Sequence, residues 1–97
     1  MSTLVTERDV FAESLSFSED ALTVRLDDGR SLSVPLAWYP RLLDGTEAER
    51  ENYELIGDGE GIHWPQLDED ITAEGLLAGR RSAECATSLA KWKQGRR

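Results

Sequence analysis

The sequence predicts a small α+β fold, with an antiparallel sheet of three to four strands and two to four short helices. Two observations predict it. Apolar residues alternate along short segments on either side of Asp28-Gly29, which indicates a hairpin, and the apolar period becomes helical after Pro35. The chain has 97 residues, which suffices for one core and excludes a two-domain enzyme.

The predicted strands start with a three-stranded meander. Asp28-Gly29 is a two-residue turn of the type whose positive φ angles match the twist of paired strands. A polar break at 18–20 separates the first strand from the second, and Gly57 ends the last one. The predicted strands are residues 13–17, 21–27, 30–34 and 53–56.

The helices are predicted from residues typical of helix ends rather than from long apolar stripes. Pro35 cannot donate to a strand but suits a first helical turn, so one or two short turns should follow it. Thr46 and Glu49 have capping-box spacing, which predicts a helix over 46–52. The remaining predicted helices are one around Ala73 to Ala78, with Asp68, Glu69 and Asp70 before it and Gly79 after it, and a weakly amphipathic helix at 82–93.

The two signs of charge lie in different parts of the chain. Six basic residues and one acid give the segment 80–97 a charge of +5, whereas five basic residues and eighteen acids give residues 1–79 a charge of −13. We therefore expect one α+β domain over 1–80 and a basic tail over 81–97, with a short helix as one form of the tail. The tail either frays, folds back on the acidic body or engages a partner. Its candidate contact residues are Arg80, Arg81, Lys91 and Lys93.

Several functional classes are disfavoured by composition. No stretch reaches the roughly 18 apolar residues of a membrane span, and the start of the chain does not have the pattern of a secretory signal, so we expect a cytoplasmic protein without membrane contact. The single cysteine, Cys85, cannot form an internal disulfide. No cofactor-binding motif is present, and we expect no cofactor.

The densest polar group could in principle bind a metal. Its oxygen and nitrogen ligands would be Asp58, Glu60, His63, Asp68 and Asp70. Their spacing does not match a calcium-binding loop, because a calcium loop beginning at Asp58 would need glycine where His63 stands. Gly57, Gly59 and Gly61 alternate with acids, which favours a tight turn over a phosphate-binding loop. His63 is interpreted as a residue that fixes its loop, with a catalytic base as the alternative. No catalytic residue is predicted.

Aromatic and acidic residues supply the candidate interaction site. Aromatic residues close to prolines usually fill a small core, and the alternative is an exposed binding anchor. The candidate residues are Trp38, Tyr39, Arg41, Asp58, Glu60, His63, Trp64, Asp68, Glu69 and Asp70.

The segments ELIGDGEGIHWPQLDED at 54–70 and EGLLAGR at 74–80 make the chain resemble the bacterial family called domain of unknown function 2442, over about residues 13–80. The resemblance implies a small α+β domain, in some members fused to a helix-turn-helix and often encoded beside another short protein in a toxin-antitoxin-like pair. It implies no established activity. We expect no helix-turn-helix here, because too few residues follow Arg80. The family's recurrent residues enter as candidate fold or interface residues: Gly61, His63, Trp64, Asp68, Asp70, Gly75 and Leu76.

We therefore predict a non-enzymatic interaction module whose acidic body contacts a small basic protein or a second copy of the chain. An antitoxin-like or regulatory member of a two-protein bacterial module would be one form of it. The alternative is a DNA-associated regulator that acts as a dimer through its basic tails, and the third class is a small enzyme or metal-binding domain. Direct nucleic-acid binding is disfavoured because a body with a charge of −13 repels phosphates.

Overall fold

The computed structural model describes residues 10–82 and 84–96. It confirms the predicted α+β fold and contains two three-stranded antiparallel sheets and four α-helices. In chain order the elements are β1 Ala12–Phe17, β2 Ala21–Leu26, β3 Ser31–Pro35, α1 Pro40–Asp44, α2 Glu47–Glu51, β4 Glu54–Ile56, β5 Gly61–Trp64, β6 Glu69–Thr72, α3 Ala73–Leu77 and α4 Ala86–Gly95.

The first sheet is the predicted meander, in the order β1-β2-β3. The hairpin is confirmed, but its loop is the three residues 27–29 and not the predicted two-residue turn, because the Leu26 backbone N–H donates to the Arg30 carbonyl over 2.8 Å. Gly29 ends the loop with a φ of +96°. The central strand directs Leu22, Val24 and Leu26 into the core, and these side chains are at most 1% exposed. The period-2 pattern of the sequence therefore corresponds to a sheet with one buried and one solvated face.

The second sheet differs from the prediction of a single sheet of three to four strands. The segment predicted as a fourth strand pairs with β5 and not with the meander, and β6 completes a separate sheet in the order β4-β5-β6. The sequence of β6 was predicted to lead into a helix because acids favour a helix start. In β6 only Ile71 is buried, so its apolar alternation is too short to indicate a strand.

The short helices follow the predicted end signals in part. At α2 both halves of the capping box are present: the Glu49 backbone N–H donates to Thr46 Oγ1 over 3.1 Å, and the Thr46 backbone N–H donates to Glu49 Oε1 over 2.9 Å. The helix predicted around Ala73 to Ala78 is present as α3, which spans Ala73–Leu77 and has Thr72 as its N-cap. The acids before it therefore belong to a turn and to β6 rather than to a helical first turn.

The two sheets share one hydrophobic core, and their junction lies beside β1. Gly59 packs directly against the backbone of Ala12, and the Leu15 backbone N–H donates to the Tyr53 hydroxyl over 3.1 Å. The most completely buried side chains are Leu22, Val24, Leu26, Leu36, Leu42, Ile62, Trp64, Leu67 and Leu76. They come from both sheets and from the helical segments, so neither sheet has a core of its own.

The basic tail forms α4, which begins after its N-cap Cys85 and lies against the acidic body. Of the alternatives for the tail, the structure shows the folded-back one. The helix predicted over 82–93 is shifted towards the C-terminus by two to four residues. Within residues 10–82 and 84–96, no helix combines the length and apolar character that a bilayer crossing requires.

Candidate functional site

A row of polar side chains crosses the outer face of the second sheet. His63 in β5 lies opposite Glu54 in β4 and opposite Asp70 in β6. Side chains directly opposite in neighbouring antiparallel strands share one face, so the imidazole lies between two carboxylates. His63 Nδ1 is 2.7 Å from Asp70 Oδ1.

An open groove lies next to this row. Ile56, Gly61 and Thr72 are opposite one another across the three strands, so the middle position has no side chain. The groove has a volume of about 280 Å³, and Glu60 and Asp70 also line it. Ile56 is 50% exposed, and with Leu43 and Leu55 it is one of three large apolar side chains that the described residues expose. The groove thus combines an apolar wall with two carboxylates.

We call Glu54, Ile56, Glu60, His63 and Asp70 the acidic face. Two glycines shape the chain next to it. Gly57 and Gly59 have φ angles of +57° and +102°, in the left-handed region that glycine adopts without strain. They turn the chain sharply enough for β4 to pair with β5 directly. The alternating glycines and acids of the sequence therefore form a turn, as predicted, and present Glu60 at the end of the groove.

The acids near α1 and α2 are compensated by the tail. Arg96 binds Glu49 through both terminal nitrogens, at 2.8 and 3.3 Å, and its Nε is 3.5 Å from Asp44. The Arg96 guanidinium lies 4.7 Å from the centre of the Trp92 ring. No described residue of α4 is fully buried. Ion pairs and cation–π contacts, more than apolar burial, therefore hold α4 on the body.

Arg96→Gln is expected to loosen α4 without unfolding the body. The variant removes the bidentate bond to Glu49 and the stacking on Trp92, a loss of about 1 kcal/mol for a partly exposed pair. Amide hydrogen exchange in α4 should then be about fivefold faster, while exchange in β2 is unchanged. Lys91→Gln is the matched control, because Lys91 is exposed and its substitution removes the same charge. Equal exchange rates in the two variants would show that the ion pairs do not hold the helix.

Arg41 connects the body to the segment before α4. Its Nε and one terminal nitrogen bind the Glu84 carboxylate at 2.6 and 2.9 Å, and its other terminal nitrogen donates to the Asp68 backbone carbonyl at 2.8 Å. Hydrogen bonds from Arg41 hold the pKa of Glu84 below its usual value. Both side chains are largely shielded from solvent. Arg41 therefore fixes internal geometry and is not a free contact residue.

A second cavity, of about 340 Å³, runs along the outer edge of β6. Tyr39, Glu69, Arg80 and Ser82 contribute to its walls. Burial raises the pKa of Glu69 to about 7, and Arg41 opposes this shift only in part. We call this cavity the β6 cleft.

Glu69→Gln is expected to make the protein more stable at alkaline pH and to change little at acidic pH. Because the pKa of Glu69 is about 7 when folded and near 4.5 when unfolded, the folded state binds more protons between these values. The protonated Glu69 side chain therefore contributes its full stabilisation below pH 4.5, and this stabilisation is lost as the pH rises through 7. Urea unfolding at pH 4 and pH 8 should show a gain of about 1 kcal/mol for the variant at pH 8 only. Glu19→Gln, in an exposed turn, is the control, and the same pH dependence in both variants would contradict the assignment.

The comparisons with known proteins identify the family. A family model described as protein of unknown function (DUF2442) matches residues 12–82. The chain belongs to the DUF2442 family. A crystal structure of a protein of unknown function from Rhodospirillum rubrum is 25% identical with a TM-score of 0.66, over 77% of this chain and 93% of that one. An uncharacterised protein from Chromobacterium violaceum, solved by NMR, is 24% identical with a TM-score of 0.64, over 84% and 74% of the two chains. The search of curated proteins gave no match.

The match to the DUF2442 family covers the two sheets but not the C-terminal helix. Residues 12–82 include both sheets and all of the acidic face, whereas α4 lies beyond the matched segment. The family rests on the match to the family model, and the two similar structures, an uncharacterised protein and one of unknown function, support the fold.

The aromatic candidates belong mainly to the interior of this DUF2442 chain. Trp64 is 0% exposed, and its indole Nε1–H donates to the Arg50 carbonyl oxygen over 2.8 Å. Tyr39 is 3% exposed, and its hydroxyl donates to the Arg80 carbonyl oxygen over 2.7 Å. Trp38 is half-buried beneath the Arg81 guanidinium. Trp64 and Tyr39 are therefore core residues and not exposed anchors, because burial leaves no surface for a partner.

The polar candidates are brought together only in part. His63 and Asp70 are in contact, and Glu60 borders the same groove. Asp58 lies in the turn before β5, and Asp68 faces Arg41 across the turn before β6. Within residues 10–82 and 84–96, no three acidic, histidine or cysteine side chains are arranged to hold a metal ion. The candidate metal set from the sequence is thus not assembled in the folded chain.

Sequence reasoning missed Glu54 and Ile56, which complete the acidic face. The sequence predicts a strand over 53–56, but which of its side chains face outward depends on its pairing with β5. The signal that could have found them is the glycine-rich turn through Gly57 and Gly59, which joins two short strands as a hairpin.

Proposed function

We propose that the protein is a non-enzymatic interaction module that binds a basic protein partner through the acidic face. The observation that carries the proposal is the juxtaposition of the Glu54–His63–Asp70 row with the exposed Ile56 beside an open groove. A lysine or arginine side chain could lie along the apolar wall and place its charge beside the carboxylates. Charge complementarity of this kind speeds encounter and selects the partner.

The distribution of ion pairs supports this choice of face. Asp44 and Glu49 are already neutralised by Lys93 and Arg96 of α4. Glu54 and Glu60 have no cationic partner within the part of the chain that the structure describes. Part of the negative charge that α4 does not compensate thus lies on the acidic face, where it is combined with the exposed Ile56.

The same contacts weigh against DNA binding by the tail. Lys93 and Arg96 are engaged with acids of the body, so fewer free cations remain to displace counterions from a phosphate backbone. The acids beside them would repel the same phosphates. A protein partner is therefore the better-supported class, and a second short protein of a two-protein module is the first to test.

Affinity capture from the native cell, followed by quantitative mass spectrometry, tests the proposal. The bait proteins are the wild type, the acidic-face variant Glu54→Gln/Asp70→Asn, and the control Glu19→Gln/Glu47→Gln. Both variants remove two charges, but the control changes exposed acids outside the acidic face. We expect one stoichiometric basic protein with the wild type and the control, and its loss with the acidic-face variant. Capture of the same partner by all three baits would contradict the proposal.

A further inference from the structure

The hydrogen-bonding pattern of the second sheet determines which groups of β6 face outward. The Ala73 backbone N–H donates to the Glu60 carbonyl over 3.0 Å, which sets residues 60 and 73 as a hydrogen-bonded pair. In an antiparallel ladder such pairs alternate with non-hydrogen-bonded ones. Continuing in register, Ile71 directs its backbone groups to β5, whereas Asp70 and Thr72 direct theirs away from the sheet.

This edge of β6 is open. Both Asp70 and Thr72 are exposed, and neither makes a backbone hydrogen bond to a loop or turn elsewhere in residues 10–82 and 84–96. Together they offer two N–H donors and the Asp70 carbonyl acceptor at the spacing of one strand-pairing unit, whereas the Thr72 carbonyl accepts the first helical bond of α3, because Thr72 is its N-cap. At the opposite edge of the sheet, the same alternation leaves only Leu55 of β4 facing outward.

The β6 cleft separates this edge from the segment Arg80–Ser82, which does not pair with it. The Arg80 N–H donates to the Gly75 carbonyl over 3.0 Å, and the Ser82 N–H donates to the Trp38 carbonyl over 3.0 Å. The Arg80 carbonyl accepts from the Tyr39 hydroxyl. These bonds hold the far wall in place and turn its backbone groups elsewhere, so none of residues 10–82 and 84–96 fills the cleft of about 340 Å³.

The charges around the cleft select the kind of segment that fits. A strand added at β6 would place alternate side chains beside Asp70 on the acidic face, where the carboxylate is 71% exposed. Those side chains should be basic. The intervening side chains would point towards the wall that contains Arg80 and Arg81, so they should be small and uncharged.

We propose that the β6 cleft receives an extended segment of the basic partner, which adds to the second sheet as a fourth strand. The segment pairs with the backbone of Asp70 and Thr72 and sets its basic side chains on the acidic face. This is strand addition at an exposed sheet edge, in which main-chain bonds give affinity and alternate side chains give specificity. The inference rests on the proposed function, because it names how the same partner is held.

The probe is the peptide acetyl-Lys-Thr-Lys-Thr-Lys-amide, added to the full-length protein. The control is the same peptide with every backbone nitrogen methylated, which keeps its charge and removes its donors. Two-dimensional NMR gives the affinity of each peptide, and hydrogen exchange reports on the Asp70 and Thr72 amides. We expect the unmethylated peptide to bind at least about tenfold more tightly and to slow exchange of both amides about tenfold, a difference near 1.4 kcal/mol.

The outcomes separate this inference from the proposed function. If both peptides bind the acidic face equally and the two amides remain unprotected, strand addition is wrong while recognition of basic chains stands. If neither peptide shifts the acidic-face resonances, strand addition and the proposed function both fail. The protein variant Glu54→Gln/Asp70→Asn should bind both peptides more weakly. Unchanged binding would show that the basic side chains do not lie on the acidic face.

Discussion

Trp64→Ala is expected to destabilise the protein by about 3–5 kcal/mol, the range for removing a fully buried aromatic side chain. The side chain is 0% exposed, packs near Tyr53 and donates its indole N–H to the Arg50 carbonyl. The substitution leaves a cavity at the junction of the second sheet with the helices and an acceptor without its donor. Small domains are stable by only about 5–15 kcal/mol, so much of the stability is lost. Urea unfolding followed by far-UV circular dichroism measures the change.

Trp64→Phe and Trp92→Ala are the controls for Trp64→Ala. Trp64→Phe keeps an aromatic ring but removes the bond to Arg50, so it should cost about 1–3 kcal/mol. Trp92→Ala removes the same side-chain type from the surface of α4, where it is only partly buried, and should cost less than half as much as Trp64→Ala. Equal losses at Trp64 and Trp92 would show that Trp64 is not the central core residue.

Gly59→Ala is expected to cost about 3 kcal/mol or more, because two effects act together. The φ of +102° at Gly59 is unfavourable for a residue with a Cβ atom. The added Cβ would also overlap the Ala12 carbonyl oxygen and lie 3.0 Å from the Ala12 nitrogen. Backbone atoms cannot rotate away as a side chain can. The junction between the sheets must therefore separate, which thermal and urea unfolding would detect.

Gly61→Ala is the matched control two residues away. At Gly61 the added Cβ would lie 3.7 Å from the Ile71 carbonyl oxygen and 3.8 Å from Ile56 Cβ, which are ordinary contacts. This variant should change stability by less than about 1 kcal/mol. A loss at Gly61 as large as that at Gly59 would mean that general β-sheet propensity, rather than close approach to Ala12, accounts for the effect.

The elements that the sequence predicted correctly are those fixed by local chemistry. The hairpin between β2 and β3 depends on the glycine at position 29 and on alternation within a few residues, although its loop has three residues and not the predicted two. The α2 capping box depends on two side chains three residues apart, and both of its hydrogen bonds are present. In each case the interacting groups are neighbours in the chain, so their spacing alone is informative.

The elements that were missed depend on pairing across the fold. β6 is a strand because Ile71 and Trp64 lie in a sheet with a buried inner face, although its sequence contains three polar residues. The acidic face exists because the register places His63 between Glu54 and Asp70. A shift of one residue would direct these side chains to the other face, and nothing in the local sequence fixes that register.

The position of α4 shows where part of the basic charge of the C-terminal segment lies. The segment 80–97 carries +5 and the rest of the chain −13, and the structure places Lys93 and Arg96 against Asp44 and Glu49. One side of the body is thereby neutralised from within. Part of the uncompensated charge lies on the acidic face, beside the exposed Ile56, and this combination of charge with an apolar side chain is the physical basis of the proposed contact surface.

The affinity of the purified basic partner for three forms of the protein tests the central claim most directly. Isothermal titration calorimetry should show that Glu54→Gln/Asp70→Asn weakens binding by about tenfold or more, or 1.4 kcal/mol, with the folded state intact. Glu19→Gln/Glu47→Gln, which removes the same net charge elsewhere, should bind like the wild type. Equal affinity of all three proteins would show that the acidic face does not bind the partner.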